Sequence, residues 1–262
     1  MRLKIMAVAL ALAASPAAAQ VENLRVAPHP VPYPSFDSQK NENTALSLSY
    51  VHSNLKVSNP SLSLNGFDLG LGYRRALNDD MAWDAHFSIV PEFGSTSAGT
   101  KIYNVAVPLS TNFEYQPYRS QALNVILFAG PNIQLGSGNY EYHATYSGNA
   151  VVPSGNGVAT TGSTSWIYGL QFGAQAGVNA GPVTLVPFFS MSPDWITYTR
   201  KYFSNNNIVS KSGSTSAAMM TTIGAQAWLQ NGLGFHFTYQ TVPGTSGFKT
   251  YDNILTGFNW AF

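Results

Sequence analysis

The last segment of the chain, residues 251–262, constrains the fold more than any other. Alternate side chains in this segment are mostly apolar or aromatic, and the side chains between them are mostly small or polar. The apolar and aromatic face contains Ile254, Thr256, Phe258, Trp260 and Phe262. The small or polar face contains Asn253, Leu255, Gly257, Asn259 and Ala261. Because successive side chains of a β-strand point to opposite faces, this pattern predicts a strand with lipid on one side and a lumen on the other.

An aromatic residue that closes such a strand resembles the C-terminal signal by which bacterial outer-membrane β-barrels are recognised for insertion. Phe258, Trp260 and Phe262 carry the resemblance. It implies a Gram-negative outer-membrane protein whose partners are the barrel assembly machinery, outer-membrane lipid and lipopolysaccharide. With 262 residues, the chain is more similar to small barrels of the opacity and surface-protein type than to trimeric porins, which need about 16 strands.

The first residues have the three parts of a secretory signal peptide. Arg2 and Lys4 precede an apolar run from Ile5 to Ala14, and residues 17–19 supply an A-x-A cleavage site. The apolar run is too short for a transmembrane helix, which needs about 20 residues. We therefore expect a signal peptide at 1–19 and a mature chain that begins at Gln20.

Residues 20–43 do not have the pattern of a barrel strand. Proline occupies every second position at Pro28, Pro30, Pro32 and Pro34, which prevents a hydrogen-bonded ladder and favours an extended conformation. We interpret this segment as a Pro-rich periplasmic tail. An alternative is a peptide that docks to a periplasmic partner or plugs the lumen.

The composition of the chain excludes several classes of function. Cysteine is absent, which excludes thiolate metal sites and cysteine nucleophiles. Charged residues make up only 10%, against about 25% in soluble domains. Without Arg2 and Lys4, 11 basic residues (13 minus 2) balance 12 acidic ones, so we expect no nucleic-acid partner. No cluster has the spacing of metal ligands, and we expect no metal and no cofactor.

From Thr44 onward the alternation recurs in segments separated by turns, which predicts an all-β fold, an antiparallel up-and-down transmembrane β-barrel over 44–262. Ten strands fit best, with eight or twelve as alternatives. The seventh, 183–191, is ambiguous because Val186 and Phe188 fall on its inner face. A soluble β-sandwich would carry more Lys and Glu on its polar faces. The side chains predicted to face the lumen include Asp68, Arg74, Asp84, His86, Asn104 and Glu114.

The connections between predicted strands alternate in length. Those after even-numbered strands are short, at 78–80, 117–120, 180–181 and 231–232. Those after odd-numbered strands are mostly longer, at 52–62, 94–100, 137–163, 192–215 and 242–250. This is the pattern of outer-membrane barrels, which have periplasmic turns and extracellular loops. With an even strand count, the N- and C-termini are both expected in the periplasm.

Two of the long connections have features of their own. In 137–163, the alternating pattern indicates that the fifth strand continues beyond the membrane and that the sixth returns from about Thr160. In 192–215, aromatic residues are mixed with the cations Arg200 and Lys201. This second loop is either an extended hairpin with packed aromatic side chains or a site for sugars, lipopolysaccharide phosphates or another surface ligand.

The second and third predicted strands form a hairpin whose register follows from its turn. A turn centred on Asp79 requires paired residue numbers to sum to 158. Arg74 then lies opposite Asp84, and Gly72 lies opposite His86. We expect Arg74 and Asp84 to form a charge-assisted pair in the lumen.

Two classes of enzyme are built on small outer-membrane barrels, and each requires a particular arrangement of residues. Omptin proteases use paired acidic residues and an Asp–His pair near the extracellular rim, whereas Asp84 and His86 lie close to a predicted periplasmic turn. Lipid A deacylases need His and Ser on one strand face, whereas the neighbours His52 and Ser53 point to opposite faces. We therefore expect no catalytic residues and no enzymatic activity.

The predicted function is a structural or surface-exposed role that acts through the loops. A narrow, porin-like channel for ions or small solutes is the alternative, and a membrane-embedded hydrolase is a third. Inward glycines such as Gly70, Gly173, Gly224 and Gly234 leave room beside polar side chains. Against this, the inward Phe128, Phe188 and Trp228 obstruct parts of the cross-section. The balance predicts a hydrated but constricted lumen with a slight preference for cations.

Overall fold

The computed structural model describes residues 42–56, 62–95, 101–143, 145–147, 150–152, 158–204, 207–245 and 248–262. The predicted signal peptide and all but the last two residues of the predicted tail lie outside the described residues. The first strand begins at Glu42, two residues before the predicted start of the barrel. No helix among the described residues is long and apolar enough to cross a membrane.

The described residues form a closed barrel of ten antiparallel strands and a separate two-stranded hairpin. The barrel strands are β1 (Glu42–Lys56), β2 (Leu62–Ala76), β3 (Met81–Ser95), β4 (Lys101–Arg119), β5 (Leu123–His143), β8 (Val158–Ala180), β9 (Val183–Ser204), β10 (Asn207–Leu229), β11 (Leu233–Thr245) and β12 (Phe248–Ala261). The small hairpin consists of β6 (Thr145–Ser147) and β7 (Ala150–Val152). Each barrel strand pairs with its neighbours along the chain, and β1 pairs with β12. The prediction of a ten-stranded up-and-down barrel is confirmed.

The outer surface of the barrel is a belt of apolar side chains. Residues alternate along each strand between a buried inner position and an exposed outer one, as in β3 and β4. Aromatic pairs lie at two levels, with Tyr73–Trp83 and Trp260–Phe262 at one and Phe93–Tyr103 at the other. Trp83 and Phe93 are ten residues apart on β3, which corresponds to about 33 Å along the strand and, at a tilt of about 40°, to about 25 Å along the barrel axis. This is the height of the apolar band of a transmembrane barrel.

The two ends of the barrel differ. One end, here the turn end, holds the start of β1, the end of β12 and the short connections 77–80, 120–122, 181–182 and 230–232. Gly181 and Gly232 have positive φ values of 70° and 83° there, which suits glycine in tight turns. The other end, here the loop end, holds the remaining connections.

At the loop end, the strands on one side of the barrel are longer than those on the other side. Strands β5, β8, β9 and β10 have 21 to 23 residues, whereas β1, β2, β3, β11 and β12 have 13 to 15. The stretch 192–215 is an extended hairpin, one of its two predicted alternatives, because β9 and β10 pair through most of it. As expected for 137–163, β5 continues into it as far as His143, and β8 begins at Val158, close to the predicted return at Thr160.

Candidate functional site

The structure buries all six side chains predicted to face the lumen. Asp68, Arg74, Asp84, His86, Asn104 and Glu114 are each at most 5% exposed. They come from β2, β3 and β4, so they line one side of the barrel interior. Their positions follow from the alternation of the strands, because a closed single-layer barrel has one face in contact with lipid and one face inside.

Near the turn end, a charge cluster consists of Arg74, Asp84, Asn112 and Glu114. Arg74 is paired in register with Asp84, and Gly72 with His86, as the turn predicted. Arg74 Nε also donates to Glu114 Oε2 on β4 at 2.6 Å, a partner that the hairpin register did not predict. Asp84 Oδ1 accepts from Asn112 Nδ2 at 2.9 Å. The two long side chains can meet across β3 because Glu114 is paired there with the small Ala82.

Nearer the loop end, hydrogen bonds connect six inward polar side chains, here the loop-end network: Asn104, Glu92, Ser53, Asn253, Gln240 and Thr222. Glu92 is its centre, accepting from Ser53 Oγ at 2.5 Å and from Asn104 Nδ2 at 3.0 Å. To reach β1 from β3, the Glu92 side chain lies over Gly66 of β2, where any Cβ would come within 3.0 Å of its Cγ. The six side chains predicted to face the lumen did not include Glu92, although its even number gives it the same inward parity as Asp84 and His86 on β3.

The inward glycines do not leave open space. Phe128 lies against Gly173, Phe188 against Gly224 and Trp228 against Gly234, each from an adjacent strand. Trp228 also donates from Nε1 to Gln226 Oε1 at 2.8 Å. The three aromatic side chains are at most 5% exposed. The expected room beside these glycines is therefore absent, and the expected obstruction by Phe128, Phe188 and Trp228 is present, because these large side chains occupy the space next to the glycines of neighbouring strands.

Apolar side chains complete the interior. Val51, Val90, Ala106 and Leu255 form a buried cluster contributed by β1, β3, β4 and β12. Further branched side chains point inward and are buried, namely Leu64, Ile102, Ile126, Ile167 and Ile196. The ambiguous predicted strand follows the same parity, since Val186 and Phe188 are both buried. Polar and apolar groups thus fill the described part of the lumen together.

One pair of residues has the geometry of a nucleophile and its base. Ser49 Oγ lies 2.9 Å from His236 Nε2, although 187 residues separate them in the chain. Both residues are buried, at 1% and 4% exposure, so a substrate carbonyl has no route to the hydroxyl. His52 lies on the outer face beside Asn65, and Ser53 lies inside, as their adjacency predicted. Among the described residues no three His, Cys, Asp or Glu side chains are grouped to hold a metal.

The three residues of the predicted assembly signal lie on the outer face of β12 and at its end. Phe258, Trp260 and Phe262 are 54%, 57% and 61% exposed. Their rings form part of the aromatic belt, with Phe258 at 4.8 Å from Phe235 and Trp260 at 5.9 Å from Phe262. The backbone of Phe262 closes the barrel through two hydrogen bonds with Thr44.

Comparison with known proteins supports the fold. No protein-family model and no curated protein matches the chain. The outer membrane protease OmpT from Escherichia coli has a TM-score of 0.55 at 11% identity, over 85% of this chain and 97% of that one. The translocator domain of the autotransporter NalP from Neisseria meningitidis has a TM-score of 0.48 at 8% identity, over 98% and 97%. The likeness to OmpT shows the fold alone, and the chain accordingly has the fold of a bacterial outer-membrane β-barrel.

Proposed function

We propose that the protein is a non-catalytic outer-membrane barrel of the small surface-protein type, with a sealed interior and a role exerted at its loop end. The burial of the inner face is the observation that carries this proposal. Side chains from all ten strands are buried there, including the charge cluster, the loop-end network and the three inward aromatic residues. A protein whose interior is filled can act on other molecules only through its exposed surfaces.

The outer membrane is the location that fits the chain best. A belt of exposed Leu, Phe, Tyr and Trp side chains surrounds the barrel and would be unstable in water. The expected signal peptide, residues 1–19, and the aromatic end of β12 support export and insertion by the barrel assembly machinery. In the proposed orientation the turn end and both termini are periplasmic, and the loop end meets lipopolysaccharide and the medium.

The filled interior argues against the alternative of a narrow channel. Planar-bilayer recording of the refolded protein tests this directly. We expect no steady conductance above the noise of a lipid-only bilayer. A large, steady single-channel conductance, or swelling of proteoliposomes in disaccharide solution, would contradict the sealed interior and would favour a diffusion channel.

Hydrolysis is not proposed, although OmpT is a protease. The buried Ser49–His236 pair lacks a substrate route, and Asp84 lies close to the turn end, where the cluster with Arg74 and Glu114 gives it a structural role. Incubation of the refolded protein with fluorogenic peptides and labelled lipid A is expected to give no turnover above that of a denatured sample.

A further inference from the structure

At the loop end, β10 extends further than the neighbouring strand β11. On one side β10 pairs with β9 along its whole length, from Asn207 to Leu229. On the other side it pairs with β11 only from Thr221 to Trp228. Because β11 ends at Thr245, which would lie opposite Ala217 in this register, β11 cannot reach residues 207–216. Among the described residues, that stretch has a backbone partner on one side only.

The exposure of side chains changes at the same point. Below it, buried and exposed residues alternate, as in Met219 and Met220. Above it, the consecutive residues Thr215, Ser216 and Ala217 are all exposed. Both faces of β10 are therefore exposed at residues 215–217, where the one-sided edge of the strand begins. Such an edge presents about five unpaired N–H and C=O groups of each kind over ten residues, which is a template for another strand.

The charge of the long hairpin restricts what can pair with this edge. Residues 195–218 contain Arg200, Lys201 and Lys211 and no acidic residue. Lys201 and Lys211 are paired in register, so the two basic residues lie side by side on adjacent strands. Two copies in one membrane would bring these cations to the same height and repel each other. An acidic partner would instead be attracted.

We propose that the free edge of β10, residues 207–216, binds an acidic, extended peptide segment of another protein by strand addition. Main-chain hydrogen bonds to the edge would supply the pairing, and Arg200, Lys201 and Lys211 would favour acidic sequences. The inference rests on the proposed function, since it names the kind of partner that meets the loop end.

The test uses the full barrel in lipid nanodiscs and a fluorescent ten-residue peptide of alternating Glu and Thr. Two control peptides replace every Glu by Gln or every second Thr by Pro. Binding is followed by fluorescence anisotropy, and strand formation by isotope-edited infrared spectroscopy. We expect the acidic peptide to bind with a β-strand signature, the Gln peptide to bind more weakly and the Pro peptide not to bind.

Variants separate the edge from the charges. Neighbouring residues of a strand direct their N–H groups to opposite edges, so one of the two variants S214P and T215P removes a donor from the free edge. The variant that removes this donor should lose at least about tenfold in affinity for the peptide. K201Q/K211Q should weaken binding of the acidic peptide and leave the Gln peptide unchanged. R75Q/R119Q removes the same charge at the turn end and should have no effect.

A variant with a shortened β9–β10 hairpin tests the proposal even if the proline variants do not fold. Deletion of residues 199–213, with an Asn-Gly turn joining Tyr198 to Ser214, removes most of the edge and should abolish binding. Heat-modifiable migration shows that each variant is folded. Equal binding of the Pro peptide, no binding at all, dimers linked through β10, or binding of dextran sulfate in place of the peptide would overturn the proposal. None of these results bears on conductance, so the sealed barrel is judged separately.

Discussion

The guanidinium of Arg74 on β2 reaches past β3 to the carboxylate of Glu114 on β4, with 2.6 Å between Nη2 and Oε2. Both side chains are buried, at 5% and 2% exposure. In the lumen such a pair has little water to replace a lost partner. Removal of one partner leaves the other charge uncompensated, which is costlier than the pair itself is stabilising.

We predict that R74M destabilises the folded barrel by about 3 to 5 kcal/mol, because Glu114 and Asp84 are left without the cation. The double variant R74M/E114Q should recover part of that loss. Urea unfolding in lipid vesicles, followed by tryptophan fluorescence, measures both. R75M is the matched control, because Arg75 pairs with Glu42 at 3.6 Å on the exposed surface and should cost less than about 1 kcal/mol. Equal effects of R74M and R75M would contradict the structural role of the buried pair.

A second prediction concerns the contact between Trp228 and Gly234. A Cβ added at Gly234 would lie 2.9 Å from three atoms of the indole ring. We expect G234A to destabilise the barrel by about 1 to 3 kcal/mol through overpacking. In a double-mutant cycle with W228L, the double variant should lose less than the sum of the single variants, since the smaller side chain gives way. Strict additivity in the same unfolding assay would show that the two residues do not compete for space.

Removal of the inward aromatic side chains should open the lumen. Phe128, Phe188 and Trp228 each cover a glycine, so the triple alanine variant would leave three glycine–alanine gaps along the inner wall, from β5 to β11. We predict measurable ion conductance for F128A/F188A/W228A and none for the wild type in planar bilayers. Alanine at the outward Phe113, Phe189 and Phe235 provides a control that also removes three aromatic side chains but leaves the interior filled. A closed triple variant with a normal fold would mean that other side chains seal the barrel.

The role of Phe262 in assembly can be separated from its hydrophobicity. Phe262 and Phe113 are both 61% exposed on the outer surface, so each contributes similarly to the lipid contact. If the terminal aromatic residue is an insertion signal, F262A should lower the amount of folded, heat-modifiable protein in the outer-membrane fraction, whereas F113A should not. Refolding of purified F262A into detergent should stay near normal. Equal levels of the two variants in cells would argue against a signal.

Several features were predictable from the sequence because they depend on neighbouring residues only. Alternation with period two assigns each side chain to a face, so Asp68 and Glu114 could be placed inside and Phe258 outside without any knowledge of their partners. A short turn also fixes the register of its hairpin, which is why Arg74 was correctly placed opposite Asp84. The number of strands followed from the number of such segments.

The contents of the lumen were decided only by the tertiary structure. Ser49 meets His236 and Ser53 meets Asn253 at 187 and 200 residues of separation, because closure of the barrel places β1 beside β12 and within reach of β11. The Arg74 side chain is long enough, and points in the right direction, to cross β3 and contact Glu114. The register of the strands alone does not predict this contact. Likewise the sequence determined that Gly173, Gly224 and Gly234 face inward, but the stagger of the strands decided which aromatic side chain covers each of them. A face is a local property of the backbone, whereas the filling of space depends on all ten strands at once.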